Sequence, residues 1–164
     1  MEFKDLGNGR VIRQPTPRQA EPLQASAVDI QNLSLGAKAV LLADAIVGDV
    51  GDVASGVAQY SSINAAIAGS LVGARIFLLK KTWVENVSID RQIEIIGSGY
   101  GSYINGTVTF TGTSDHSLVS RARISGNITF DVGSIGCILS ECWNPTASLI
   151  TDNGSGNYYA VGED

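Results

Sequence analysis

Residues 76–130 read IFLLKKTWVENVSIDRQIEIIGSGYGSYINGTVTFTGTSDHSLVSRARISGNITF, and within them short β-rich bursts return at nearly constant spacing. Thr107-Val108-Thr109-Phe110 comes back twenty residues later as Asn127-Ile128-Thr129-Phe130, and Ile104, just before Asn105-Gly106, comes back as Ile124, just before Gly126-Asn127. Val87 lies twenty-one residues before Val108, and Val119 nineteen before Ile138. A period of about 20 with three short apolar strands per repeat is the pattern of a solenoid, because one such unit cannot bury its apolar side alone and must stack on the next. The fold expected is all-β, a right-handed parallel β-helix with about four rungs between Ile76 and Val161. Rungs about 4.8 Å apart would set Ile104 over Ile124, Val108 over Ile128 and Val119 over Ile138. Each fully buried side chain in such a ladder contributes about 1.5–3 kcal/mol. Four rungs are few for a free-standing solenoid, so further burial by trimerisation or docking is expected.

Composition narrows the setting. With 164 residues, 44% of them hydrophobic, the chain can bury one core. Its 19 glycines and 16% charged residues fit many tight turns between short strands. A net charge of −5 makes nucleic acid an unsuitable general partner. The longest apolar run, Ala39 to Val47, is interrupted by Asp44 and is too short to span a bilayer, so no membrane is implied. The polar start MEFKDLGNGR lacks the apolar core of a signal peptide, and assembly in a cytoplasm is expected. Cys137 and Cys142 match neither a redox nor a zinc spacing. Cys137 is expected to point inward as a small hydrophobe, and Cys142 to lie near the following turn.

Three segments follow in order. Residues 1–22 hold Pro15, Pro17 and Pro22, which remove backbone donors and favour extended neighbours, so neither helix nor sheet is expected there. Four of the 11 lysines and arginines (Lys4, Arg10, Arg13, Arg18) fall in this stretch, and Phe3, Leu6, Val11 and Ile12 are suited to anchor an arm on a partner. Residues 23–58 form a connecting or attachment segment, with partial alternation at Val28, Ile30, Leu33 and Leu35 and a helix or buried strand within Ala37 to Val47. Asp49 and Asp52, in Gly48-Asp49-Val50-Gly51-Asp52, are turn residues, since a calcium loop needs more oxygen ligands at set offsets. Residues 59–164 form the capped β-helix. Its cap is a short helix at 60–68, with Ser61 or Ser62 as N-cap, Ile63, Ala66, Ile67 and Leu71 on one face, and Gly69 and Gly73 as stops.

The run Gly56-Val57-Ala58-Gln59-Tyr60-Ser61-Ser62-Ile63-Asn64-Ala65-Ala66-Ile67, then Ile76-Phe77-Leu78-Leu79, then Thr82-Trp83-Val84-Glu85-Asn86-Val87-Ser88-Ile89, then Ile93-Glu94-Ile95-Ile96-Gly97-Ser98-Gly99 resembles the opening of pectate-lyase-like β-helix proteins. The resemblance covers residues 56–110 closely and departs at Lys81-Thr82, where the family usually has Gly-Thr. Short members with an N-terminal arm resemble virion proteins of tailed bacteriophages. The resemblance therefore implies a homotrimeric structural component that decorates the head or forms a fibre, tailspike or tail adaptor, bound to other virion proteins through residues 1–22.

Two other functions compete with the structural one. A glycan-binding module would use flat rings as sugar platforms, with Trp143, Tyr158 and Tyr159 as candidates. A polysaccharide lyase or hydrolase would need paired carboxylates beside a cation, and Asp131, Asp152, Arg121 and Arg123 are the available set. Asp90, Thr111, Asp131 and Asp152 recur at spacings of 21, 20 and 21 just after strands. Asp131-Val132-Gly133 and Asp152-Asn153-Gly154 read as turns, so the favoured role is backbone capping, and no enzyme is expected. Arg121 and Arg123 alternate on one strand and are expected to share a face. His116, in a polar turn, is expected to be exposed. No metal site or cofactor is expected.

Overall fold

The computed structural model describes residues 3–5, 11–13, 43–144 and 150–163. The chain divides into two compact units, 1–38 and 39–164. In the first, β1 (Phe3–Asp5) pairs antiparallel with β2 (Val11–Arg13), a local sheet where the sequence led us to expect none. The alternation at Val28, Ile30, Leu33 and Leu35, the anchor Leu6 and the three prolines lie outside the described residues.

The second unit is a parallel β-solenoid of about four turns. It starts before residue 59: β3 (Ala45–Val47) already pairs in parallel with β4 (Arg75–Leu78), so the described part of 23–58 belongs to the solenoid. Each turn places one strand on each of three flanks. The first flank runs β3, β4, β7 (Glu94–Gly97), β10 (Leu118–Ser120) and the start of β13 (Ile138–Asn144). The second runs β5 (Lys81–Trp83), β8 (Ser102–Ile104), β11 (Arg123–Ile124) and the end of β13. The third runs β6 (Val87–Ile89), β9 (Val108–Phe110), β12 (Ile128–Phe130) and β14 (Ile150–Asp152). β15 (Tyr158–Glu163) lies along β13.

The third flank makes the logic plain. Val-Ser-Ile, Val-Thr-Phe and Ile-Thr-Phe each turn two apolar residues in and one hydroxyl out, the period-2 alternation of a strand. Stacking then builds the ladders Val87–Val108–Ile128 and Ile89–Phe110–Phe130, with every member at most 1% exposed. The Phe110 and Phe130 rings are 4.6 Å apart and nearly parallel. Ile124 sits on Ile104 as expected. Val119 pairs instead with Leu139, and Ile138 follows Leu118 on the outside. A one-residue slip would reverse every side chain in the strand, so the spacing there is twenty rather than nineteen.

The corners are held by buried serines and by close backbone approach. The Ser117 hydroxyl accepts from Ile93 N–H and donates to the Arg91 carbonyl, and the Ser102 hydroxyl donates to the Leu78 carbonyl. A Cβ on Gly126 would run into the Gly106 carbonyl one rung away, which is why the Gly-containing turns repeat with the strands.

Both ends of the lumen are closed by the chain itself. α1 (Val50–Ala54) is capped by a reciprocal pair: Asp49 accepts from Asp52 N–H, and Asp52 accepts from Asp49 N–H. The segment expected to be a turn or linker is thus a helix start. α2 (Ile63–Gly69) buries Ile63, Ala66 and Ile67 with Ser62 as N-cap, as its pattern indicates. Leu71 lies past the helix end and is 85% exposed. The Glu85 carboxylate reaches α2 from the turn after β5 and accepts from Ser62 Oγ, Ile63 N–H, Asn64 N–H and Asn64 Nδ2, fastening cap to solenoid. At the far end Asn144 and Asp152 take the inward positions that Ile124 and Phe130 hold one rung earlier, and Tyr159 lays its ring 5.8 Å from that of Phe130. A polar last rung is how a repeat array ends without exposing its core.

Candidate functional site

The chemistry-bearing side chains that come together do so outside the second flank. Its outward column, read along the stack, is Thr82, Tyr103, Arg123, Trp143 and Gly162. The Arg123 guanidinium lies 4.8 Å from the Tyr103 ring centre and 5.9 Å from that of Tyr100. Tyr100, half exposed in the turn between β7 and β8, packs on Trp143 with ring centres 4.6 Å apart and planes tilted by 40°. The Lys80 stem lies across the backbone of Gly101, the residue after Tyr100. The Trp143 indole therefore has Tyr100 as its ring partner and, as the next residue in its column, a glycine.

The arrangement is a cluster of three aromatic rings, Tyr100 and Trp143 tilted against each other, with the Arg123 guanidinium beside Tyr103 and Tyr100. Tyr103, Arg123 and Trp143 are twenty residues apart, so this column was readable from the period. Tyr100 and Lys80 were not, since both come from turns whose direction the alternation does not determine.

The candidate glycan residues separate. Trp143 belongs to the cluster, Tyr158 stands 60% exposed on the first flank beside Ile138, and Tyr159 turns inward over Phe130. The candidate catalytic residues separate as well. Arg121 and Arg123 do not share a face: Arg121 adopts φ 56° at the corner between β10 and β11, which breaks the alternation. Its Nε is 3.8 Å from Glu141, and the two line a first-flank groove of about 430 Å³ with Arg75 and Glu94. Asp152 stacks on Phe130 and so stands one column away from Asp131. Its carboxylate accepts from Gly154 N–H and Asn157 Nδ2, a turn role. The Asp131 carbonyl accepts from Ser134 N–H and Ser134 Oγ. Among the described residues no group of three or more His, Cys, Asp or Glu could hold a metal.

Other groups have structural roles. His116 is exposed at φ 57°, stacked in register with Gly136 at φ 63° and Gly156 at φ 65°. Both cysteines are free and buried. Cys142 lies within β13 rather than in a turn, and burial pushes its thiol up to about 11. Asp90 is held below its ordinary range chiefly by the hydrogen bond from Arg91.

No protein-family model, curated protein or solved structure matches the chain. The architecture and the local chemistry are therefore what carry a functional reading.

Proposed function

We propose that the chain is a structural subunit of a tailed-bacteriophage particle, a trimeric β-helix that decorates the head or forms a fibre or tail adaptor and is held by residues 1–22. The observation that carries this reading is the outer column of the first flank. It begins with the Arg75–Glu94 ion pair (2.8 Å) and turns apolar through Leu118, Ile138 (40% exposed) and Tyr158 (60% exposed). With both ends of the lumen closed, association between copies runs through the flanks, and an apolar column bordered by charges of both signs suits contact with a second copy of an acidic chain. The likeness of residues 56–110 to the pectate-lyase-like opening supports the same reading. Labelled protein is expected to co-purify with intact particles; its absence from purified virions refutes the proposal. In solution, Ile138→Glu is expected to lower the molar mass from trimer to monomer, and removal of residues 1–22 to leave the trimer intact.

A second reading, a glycan-binding module, is favoured by the Tyr100–Trp143 ring pair. Glycan-array binding that is lost on Trp143→Ala supports it; binding that persists removes Trp143 from the site.

A further inference from the structure

A three-fold ring asks more of a surface than one apolar column. Its contacts are heterologous, so the column that a copy turns to one neighbour is received by a different patch on that neighbour. The first flank supplies one side, with Leu118, Ile138 and Tyr158 in its outward column. Of the other two flanks, the third presents Ser88–Thr109–Thr129–Thr151, hydroxyls throughout. The second presents Thr82–Tyr103–Arg123–Trp143–Gly162, with the half-exposed Tyr100 packed on Trp143. Trp, Tyr and Arg are the side chains that anchor protein interfaces, whereas Ser and Thr seldom do.

Height along the stack agrees with that choice. Rotation about an axis parallel to the stack moves nothing along it, so each rung of one copy meets the same rung of the next. Ile138 and Trp143 lie on one strand, β13, at its first-flank and second-flank ends. Tyr158 and Gly162 lie likewise on β15, so the 60%-exposed Tyr158 ring stands level with the one residue of the second column that has no side chain. One rung before β13, Leu118 on β10 is level with Arg123 on β11. Aliphatic thus faces aromatic and large faces small, in register through the last rungs.

We propose that the second-flank cluster of Tyr100, Tyr103 and Trp143 is the surface that receives the first-flank column of the neighbouring copy, with Ile138 against Trp143 and Tyr158 over Gly162. The inference rests on the trimeric reading and adds the opposite half of the contact. The test follows tryptophan emission of the full chain through dilution, alongside molar mass. Trp83 is buried within the solenoid, so a change on dissociation belongs to Trp143. Emission is expected to move to the red as the trimer dissociates and to stay fixed in Trp143→Phe. Trp143→Ala is expected to raise the dissociation constant about thirtyfold or more; the emission measurement on the unaltered chain stands even if that variant fails to fold. Oxidation of a chain carrying both Ile138→Cys and Trp143→Cys is expected to give a covalent trimer, and neither substitution alone a covalent dimer, since the native cysteines are buried. A covalent dimer from Ile138→Cys alone, or a trimer that dissociates with unchanged emission, overturns the inference and leaves the trimer standing. A chain that is monomeric at every concentration overturns the inference together with the trimeric reading.

Discussion

Phe130 is the residue through which the last rungs hold to the rest, and replacing it with alanine tests the stacking account. Its side chain is fully buried, lies 4.6 Å from the Phe110 ring at 11°, and carries the Tyr159 lid at 5.8 Å. Truncation of a buried phenylalanine costs about 3–5 kcal/mol through lost transfer free energy and the cavity left behind. The upper half of that range applies here, because strands on either side fix the backbone and limit collapse into the gap. Of the total, about 0.5–1.5 kcal/mol belongs to each aromatic pair beyond its buried area. Urea unfolding can be followed from both ends of the stack, since Trp83 lies on β5 in the first full turn and Trp143 on β13 in the last. Rungs hold chiefly to their neighbours, so the Trp143 transition is expected to shift to lower urea at least as far as that of Trp83. A cycle of Phe110→Leu and Phe130→Leu should leave a coupling of about 1 kcal/mol. A loss below about 1 kcal/mol for Phe130→Ala, or a coupling of zero, would refute the reasoning.

Three further outcomes follow from the same geometry. Glu85→Ala removes the acceptor of four donors at the start of α2 and should cost about 1–3 kcal/mol, with faster amide exchange at Ile63 and Asn64 than in the distal rungs; uniform exchange through the unit would count against a local cap. Glu141 sits at φ 50° with an exposed side chain, so Glu141→Gly should be neutral or stabilising by up to about 1 kcal/mol, while Ser140→Gly beside it should cost about 0.5–1 kcal/mol; equal losses by thermal unfolding would dismiss the strain. The Cys142 thiol rises from 9.0 to about 11 on burial, so the folded chain keeps a proton that the unfolded chain has released. Its contribution is intact below pH 9 and lost as pH approaches 11, a fall of roughly 2–3 kcal/mol that Cys142→Ala should remove from the stability–pH curve.

The ladders and the α2 cap were legible in the amino-acid sequence because both depend on local rules. Side chains alternate along a strand whatever surrounds it, so a repeat of twenty is enough to set Val108 beneath Ile128 and Ile104 beneath Ile124. Ser62 and the Ile63, Ala66, Ile67 face follow from helix spacing in the same way. Where a turn intervenes, that reasoning loses its footing. Arg121 in the left-handed region sends Arg123 to another flank, and the two additional residues between β13 and β14, compared with β11 and β12, set Asp152 against Phe130 instead of Asp131.

The amino-acid sequence by itself determined that the chain is a parallel solenoid with an apolar lumen and a helical cap, because alternation and period are properties of neighbouring residues. Tertiary structure alone decided what meets across the turns. Glu85 on α2, Tyr100 on Trp143, Tyr159 over Phe130 and the separation of the two arginines all depend on corner dihedrals and on one-residue registers between rungs. Those quantities are set by packing between distant segments, and the aromatic cluster on the second flank is their product.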